Sequence, residues 1–202
     1  MTSKPLYDND AKNYCRQYES LKFEDIHQDI LAIIPPKGTK ILDVGAGSGR
    51  DAAWFAVNGY EVTALEPSLA MIREGKSYHK NSAVRWICDS LPELKQVQKL
   101  GQQFDFILLS AVWMHVKPEE RPRAFKNLNS LLAPNGQLSI VLRFGSLRDD
   151  MYLVSFDELK SLAEKYKLET TMIKERGEKD KLNRFDVEWG RVCFRKSGLN
   201  KQ

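Results

Sequence analysis

Apolar residues recur along this chain with two different periods, and the points where the period changes mark out its elements. Residues 11–34 repeat at helical spacing, with Phe23, Ile26, Ile30, Leu31 and Ile34 on one face and Pro35-Pro36 as the stop. From there the chain alternates. Short β-rich runs at 40–44 (KILDV), 61–66 (EVTALE), 84–88 (VRWIC), 104–110 (FDFILLS) and 137–143 (QLSIVLR) are separated by helical patterns near 50–58, 69–76, 92–100 and 119–132. Gly59 ends the first of these helices, and Pro134-Asn135-Gly136 turns the last into its strand. Regular alternation of this kind predicts a parallel sheet covered by helices on both faces, a doubly wound α/β fold. The tail breaks the rule: a helix over 155–166 is followed by ETTMIKE (169–175) and VEWGRVCFR (187–195) with no helix between them. The last strand is therefore expected to run antiparallel. The layout divides into N-terminal helices (1–36) and one compact domain (37–198).

The first strand runs straight into Gly45-Ala46-Gly47-Ser48-Gly49 and then a charged pair, Arg50-Asp51. Ligands of open α/β sheets sit beyond the carboxyl ends of the strands, where strand order reverses, and this turn lies at that point. No Gly-Lys-Ser/Thr follows, so it is not a P-loop. The third glycine comes one position early for a dinucleotide G-x-G-x-x-G. Two carboxylates flank the turn, Asp43 inside the first strand and Glu66 at the end of the second. Acids here suit hydroxyls and amines rather than a pyrophosphate, which needs free amides at a helix start.

Taken as a block, ILDVGAGSGRDAAWFAVNGYEVTALEPSLAMI (41–72), WICDSLPEL (86–94), FDFILLSAVWMHV (104–116) and LNSLLAPNGQLSIVLR (128–143) resemble the class I S-adenosylmethionine-dependent methyltransferases. The resemblance implies a Rossmann-like sheet of seven strands, mostly parallel with an antiparallel last strand. It implies S-adenosylmethionine as the methyl donor. It further implies that Asp43 with the backbone of Gly45, Ala46, Gly47 and Gly49 holds the methionine portion. Glu66 would take the ribose hydroxyls, with Pro67, Ser68 and Met71 around the adenine; Asp89 would take the adenine amino group beside Ser90 and Leu91. Ser110 and Ala111 would lie at the methionine end.

On the acceptor side, His115 after the fourth strand is a candidate general base, with a hydrogen-bonded structural role as the competing reading. Asp89, before a Ser-Leu-Pro turn, competes between adenine contact and helix capping. Trp54, Phe55 and Val57 read as helix core, and His27 and His79 carry no signal. The segments 143–154 and 176–188 should overhang the active face. They bring Arg143, Arg148, Arg176 and Arg184 near it, and the cluster of Arg143, Arg148 and Arg184 suggests an anionic acceptor. Tyr7, Tyr14 and Tyr18 lie on a stretch able to fold over the ligand as a lid, with Tyr14 and Tyr18 as candidate acceptor contacts.

Composition alters this picture little. The 202 residues are 42% hydrophobic with a net charge of +4, an ordinary globular balance whose basic residues are interspersed with acidic ones. That argues against nucleic acid as the partner, and no added recognition domain is evident. No apolar run reaches the ~20 residues that cross a bilayer, and the N-terminus lacks an apolar segment after Lys4. Cys15, Cys88 and Cys193 are scattered, which suits a reducing cytoplasm and gives no metal site. The expected function is methyl transfer to a small-molecule acceptor. A methyltransferase acting on RNA or protein, or an inactive cofactor-binding partner subunit, remain the alternatives.

Overall fold

A computed structural model describes residues 4–182 and 184–198. Seven strands form one sheet: β1 (Lys40–Val44), β2 (Glu61–Leu65), β3 (Val84–Ile87), β4 (Phe104–Ser110), β5 (Leu132–Gly145), β6 (Leu168–Lys179) and β7 (Val187–Lys196). Their spatial order is β3-β2-β1-β4-β5-β7-β6. β1 pairs in parallel with β2 on one side and β4 on the other, and β7 lies antiparallel between β5 and β6. The expected Rossmann-like sheet with its antiparallel last strand is thus present.

Strand residues alternate between two cores. Leu42, Val44, Ile107 and Leu109 face one cluster, Ile41, Phe106 and Leu108 the other. Both sides are dry, which is why these strands read as continuous apolar runs. The first core is capped by α7 (Arg121–Leu131) and α8 (Phe156–Lys165) through Phe125, Leu128 and Leu159. The second is capped by α4 (Arg50–Val57) and an N-terminal element through Phe55, Phe23 and Ile30. Phe23 stacks on Trp54 with ring centroids 3.9 Å apart.

Several boundaries differ from expectation. The N-terminal stretch is three short helices, α1 (Lys4–Asn9), α2 (Ala11–Glu19) and α3 (Phe23–His27), followed by a single 3-10 turn at Gln28–Ile30. Leu31 is 40% exposed and leaves the apolar face assigned to it. Val57 is 75% exposed, so it is no core residue, whereas Phe55 is fully buried. The helical pattern near 92–100 contracts to α6 (Lys95–Gln98). Pro134-Asn135-Gly136 does not separate helix from strand. β5 begins at Leu132 and takes up the extra residues as an irregularity against β4, with Asn135 at φ +63°. α5 (Leu69–Tyr78) starts where expected because Ser68 Oγ accepts the Met71 amide as its N-cap.

The two-core layout makes a stability prediction. Ile107→Ala should cost about 2–5 kcal/mol, while Val57→Ala should stay within about 0.5 kcal/mol of the parent. Urea unfolding followed by circular dichroism measures both, and a near-neutral Ile107→Ala would contradict the packing.

Candidate active site

Strand order reverses between β1 and β4, and a cavity of about 240 Å³ opens there at the carboxyl ends of the strands. The glycine turn forms its floor. Gly45, Gly47 and Gly49 have φ of +71°, +58° and +82°, the left-handed region that side chains resist. The Gly45 and Ala46 amides donate to Leu65 O at 2.8 Å, tying the turn to β2. A Cβ at Gly47 would lie 3.3 Å from the Tyr18 ring, and one at Gly49 only 2.5 Å from Trp86. Gly47 thus keeps the cavity open, while Gly49 serves packing and starts α4.

Carboxylates line the end of the cavity at the glycine turn. Glu66 is 6% exposed; its Oε2 accepts the Gly47 amide and its Oε1 the Ser68 amide, each at 2.9 Å. Burial nonetheless pushes its pKa up to about 7. Asp43 is buried, and its Oδ2 has no hydrogen-bond partner. Desolvation, then the charge of Asp51, drives its pKa well above the carboxylate range. An orphaned carboxylate oxygen beside an open turn fits an ammonium, and a buried acid anchored to the turn with lone pairs to spare fits vicinal hydroxyls. The residues present therefore fit the adenosyl cofactor that the resemblance implies.

Asp51 faces the same cavity but is neutralised. Burial favours its protonated form, yet Arg50, in a two-point contact at 2.7 and 3.0 Å, and His27 hold it well below its usual range. Arg50 also reaches Tyr18 O at 3.3 Å. The Arg50-Asp51 pair stabilises the turn and fastens α2 over it. His27 corrects the sequence expectation: it is fully buried, with Nε2 3.0 Å from Asp51 and Nδ1 2.7 Å from Arg191. Arg191, on β7, also donates to Asp29 and Ser139. Nothing in the local sequence marks this long-range chain. His79 pairs with Glu19 at 2.9 Å.

The opposite wall is cationic. Arg143, Arg148 and Arg184 all line the cavity, close enough that Arg184 and Arg148 join burial in lowering the Arg143 pKa. Arg148 is held by Asp150, with Nε–Oδ1 3.0 Å and Nη2–Oδ2 3.1 Å. Arg184 is held by Asp180, at 2.7 and 3.0 Å, rather than by the neighbouring Asp186. Trp189 donates to the same Asp180 at 2.9 Å. Arg143 differs. It is 6% exposed, donates to Ser146 O, and leaves Nε without a partner. Among the described residues it has no carboxylate ion-pair partner. The side chain of Arg176 lies outside the described residues.

His115 lines the cavity beside this wall, at 6% exposure. Its Nδ1 lies 3.0 Å from Asp150 O and 3.1 Å from Asp150 Oδ2, and its Nε2 3.4 Å from Tyr7 Oη. Two oxygen acceptors at Nδ1 place the ring hydrogen there. Burial lowers the pKa and Asp150 only partly offsets it, so the ring is neutral with Nε2 as acceptor.

Of the remaining candidates, Ala46, Pro67, Met71, Ser110, Ala111, Tyr14 and Tyr18 line the cavity. Ala111 adopts φ +60°, a strained conformation at the end of β4. Ser68 is fully buried as the α5 cap. Asp89, Ser90 and Leu91 do not line the cavity. Asp89 accepts the Ser90, Gln96 and Val97 amides at 2.9, 2.7 and 3.0 Å, the capping arrangement, and Leu91 is in the core. Tyr7, Ser48, Asp29 and Lys174 join the lining without having been singled out as ligand contacts.

Glu66 generates a pH prediction. Its folded pKa of about 7 lies above the ordinary ~4.3, so its contribution to stability is full below the ordinary value and lost as pH rises through about 7. The resemblance assigns the ribose hydroxyls to Glu66, and the ionised form is the stronger acceptor for them, so on that assignment S-adenosylmethionine affinity should rise with pH up to about 7 and level off above. Glu66→Gln should flatten both dependences and weaken binding at pH 8 by about 1–3 kcal/mol. Calorimetric titration between pH 5.5 and 8 measures this; an unchanged slope in the variant would contradict the role. Gly47→Val should abolish binding, read in the same titration.

Residues 41–136 match a methyltransferase-domain family. An uncharacterized methyltransferase of Mycobacterium tuberculosis is 29% identical over 119 residues, 58% of each chain. A probable S-adenosyl-L-methionine-dependent methyltransferase, TehB, of Haemophilus influenzae is 30% identical over 125 residues, 57% of this chain and 41% of that one. The match thus spans about half the length of these curated relatives. Among solved structures, the magnesium protoporphyrin IX methyltransferase of Synechocystis superposes with a TM-score of 0.74 at 15% identity, covering 97% of this chain and 99% of that one. No helix among the described residues is long and apolar enough to cross a membrane. The matched segment, just under half of the chain, spans the glycine turn and both acids and is similar to a methyltransferase domain, and the sheet order agrees with the fold of the class I S-adenosylmethionine-dependent methyltransferases.

Proposed function

We propose that this protein transfers a methyl group from S-adenosylmethionine to a small-molecule acceptor that carries an anionic group. The observation that carries the reading is Arg143, a guanidinium almost wholly removed from water, whose Nε has no hydrogen-bond partner and which forms no ion pair with a carboxylate among the described residues, Asp180 and Asp186 acting on it only at longer range. A buried cation in that state is costly, and an anionic ligand removes the cost. Arg148 and Arg184, pre-oriented by Asp150 and Asp180, line the same wall and add donors with fixed direction.

The cofactor, when bound, supplies a methyl already activated by its sulfonium. The remaining work falls to the protein's own residues, and most of it is placement. Asp43 and Glu66 fix the donor from below, the arginines fix the acceptor from the side, and the pair is held for in-line displacement. The N-terminal helices act as the lid over this space. Tyr7, Tyr14 and Tyr18 line the cavity from α1 and α2, and Asp8 bonds Ser68 Oγ at 2.6 Å to hold α1 down on the start of α5. A closed, dry chamber strengthens every electrostatic contact within it.

Arg143→Ala should raise the acceptor KM at least tenfold while leaving S-adenosylmethionine affinity within about twofold, the pattern of lost acceptor binding. Steady-state kinetics with an acceptor found by screening small carboxylic and other organic acids, with neutral analogues alongside, supplies the test. Preference for the neutral analogues, or loss of cofactor affinity in the variant, would overturn the anionic acceptor.

A further inference from the structure

Tyr7 sits where the two walls of the acceptor space meet. Its Oη lies 3.4 Å from His115 Nε2 and 3.3 Å from Arg148 Nη2, and its ring meets His115 edge-on at 6.0 Å. Hydrogen-bond directions in this cluster are constrained. Arg148 can only donate, and the Tyr18 hydroxyl bonds Tyr7 in the sense that favours its ionised form, so Tyr7 Oη accepts from both and its own hydrogen is left for Nε2. His115 Nδ1–H is committed to Asp150, whose carboxylate also grips Arg148. One acid thereby sets both the guanidinium and the tautomer of the imidazole. The result is an ordered line from Tyr7 to His115 to Asp150, beginning at the cavity and ending away from it.

We propose that Tyr7 is a catalytic residue that relays the acceptor's proton to His115, so that the acceptor is an anionic small molecule whose nucleophile bears a hydrogen, a hydroxyl or an N–H. The inference rests on the methyl-transfer reading above. As the nucleophile bonds to the methyl carbon, the methyl–sulfur electron pair remains on sulfur. The hydrogen of the nucleophile passes to Tyr7 Oη while Tyr7's hydrogen passes to Nε2. The imidazolium so formed keeps its Nδ1–H on Asp150, whose negative charge stabilises it. No further reactant is needed for the balance. Because Tyr7 belongs to α1, the relay is complete only when that helix is docked through Asp8 and Ser68.

Several charged or titratable groups face His115: Tyr7 from α1, Arg143 from β5, and Arg148 with Asp150 from the segment after it; Tyr14 adjoins through the Tyr7 ring and Arg148. With only three histidines in the chain, ¹⁵N-histidine NMR of the protein saturated with S-adenosylhomocysteine resolves His115, assigned by His115→Asn. The wild type should show the Nδ1–H tautomer. Tyr7→Phe keeps the ring and removes the donor to Nε2, so the His115 titration midpoint should rise. Asp150→Asn should move it down. In parallel, transfer of radiolabelled methyl from S-adenosylmethionine to the low-molecular-weight fraction of a cell extract should fall at least about tenfold in Tyr7→Phe with cofactor affinity unchanged.

A His115 titration that ignores Tyr7→Phe, an Nε2–H tautomer, or undiminished transfer would each overturn the relay. Absence of any transfer by the wild type would defeat the methyl-transfer reading and the relay that rests on it, whereas transfer undiminished in Tyr7→Phe would defeat the relay alone.

Discussion

Two carboxylates, Asp43 and Glu66, are held at the end of β1 and just after β2 with almost no water, and the architecture of the site is arranged around keeping them there. Isolated buried charge is expensive, so each acid must be neutral, paired or awaiting a donor. Asp51 takes the second course through Arg50 and His27. Glu66 accepts one amide from the turn and one from Ser68 and remains hard to ionise, and Asp43 keeps an oxygen without any donor. The glycines matter because they let backbone amides reach Glu66 and leave the space above the turn clear. Under the proposed function, a donor bearing an ammonium and vicinal hydroxyls would satisfy both acids at once.

Opposite charge collects on the other wall, and the order of the strands explains how. β5 and β7 run antiparallel beside the switch point, so Arg143 near the end of one and Arg191 in the other come from distant sequence to one cavity. Arg191 bridges to Asp29 and His27, which links the N-terminal helices to the sheet beneath the cofactor end. The same helices bring Tyr7 to His115 above it. The N-terminal segment is accordingly part of the site's construction, and its own short helices have little stability apart from that docking.

Much of the domain was legible because its physics is local. Strands buried on both faces write continuous apolar runs, and a turn that must hold a left-handed backbone writes glycine. The resemblance then placed Asp43 and Glu66, and both line the cavity. What failed to show in sequence depends on partners far along the chain. His27 looks polar and isolated until Asp51 and Arg191 surround it. Val57 continues an apolar pattern but falls on the solvent side of α4. Asp89 carried two readings in sequence, and its three backbone amide contacts match the capping one. Arg143, Arg148 and Arg184 look alike in sequence; only the acids placed beside two of them single out the third.

The division of labour between the acids can be tested by separating the two ends of the ligand. Calorimetric titration of Asp43→Asn with S-adenosylhomocysteine and with methylthioadenosine, which keeps the ribose and adenine but lacks the amino-acid portion, compares them in one protein. Affinity for S-adenosylhomocysteine should fall by about tenfold or more, as for a lost hydrogen bond to a charged group, while methylthioadenosine binds as it does to the parent. Equal losses for both ligands, or no loss for either, would contradict the assignment of Asp43 to the ammonium.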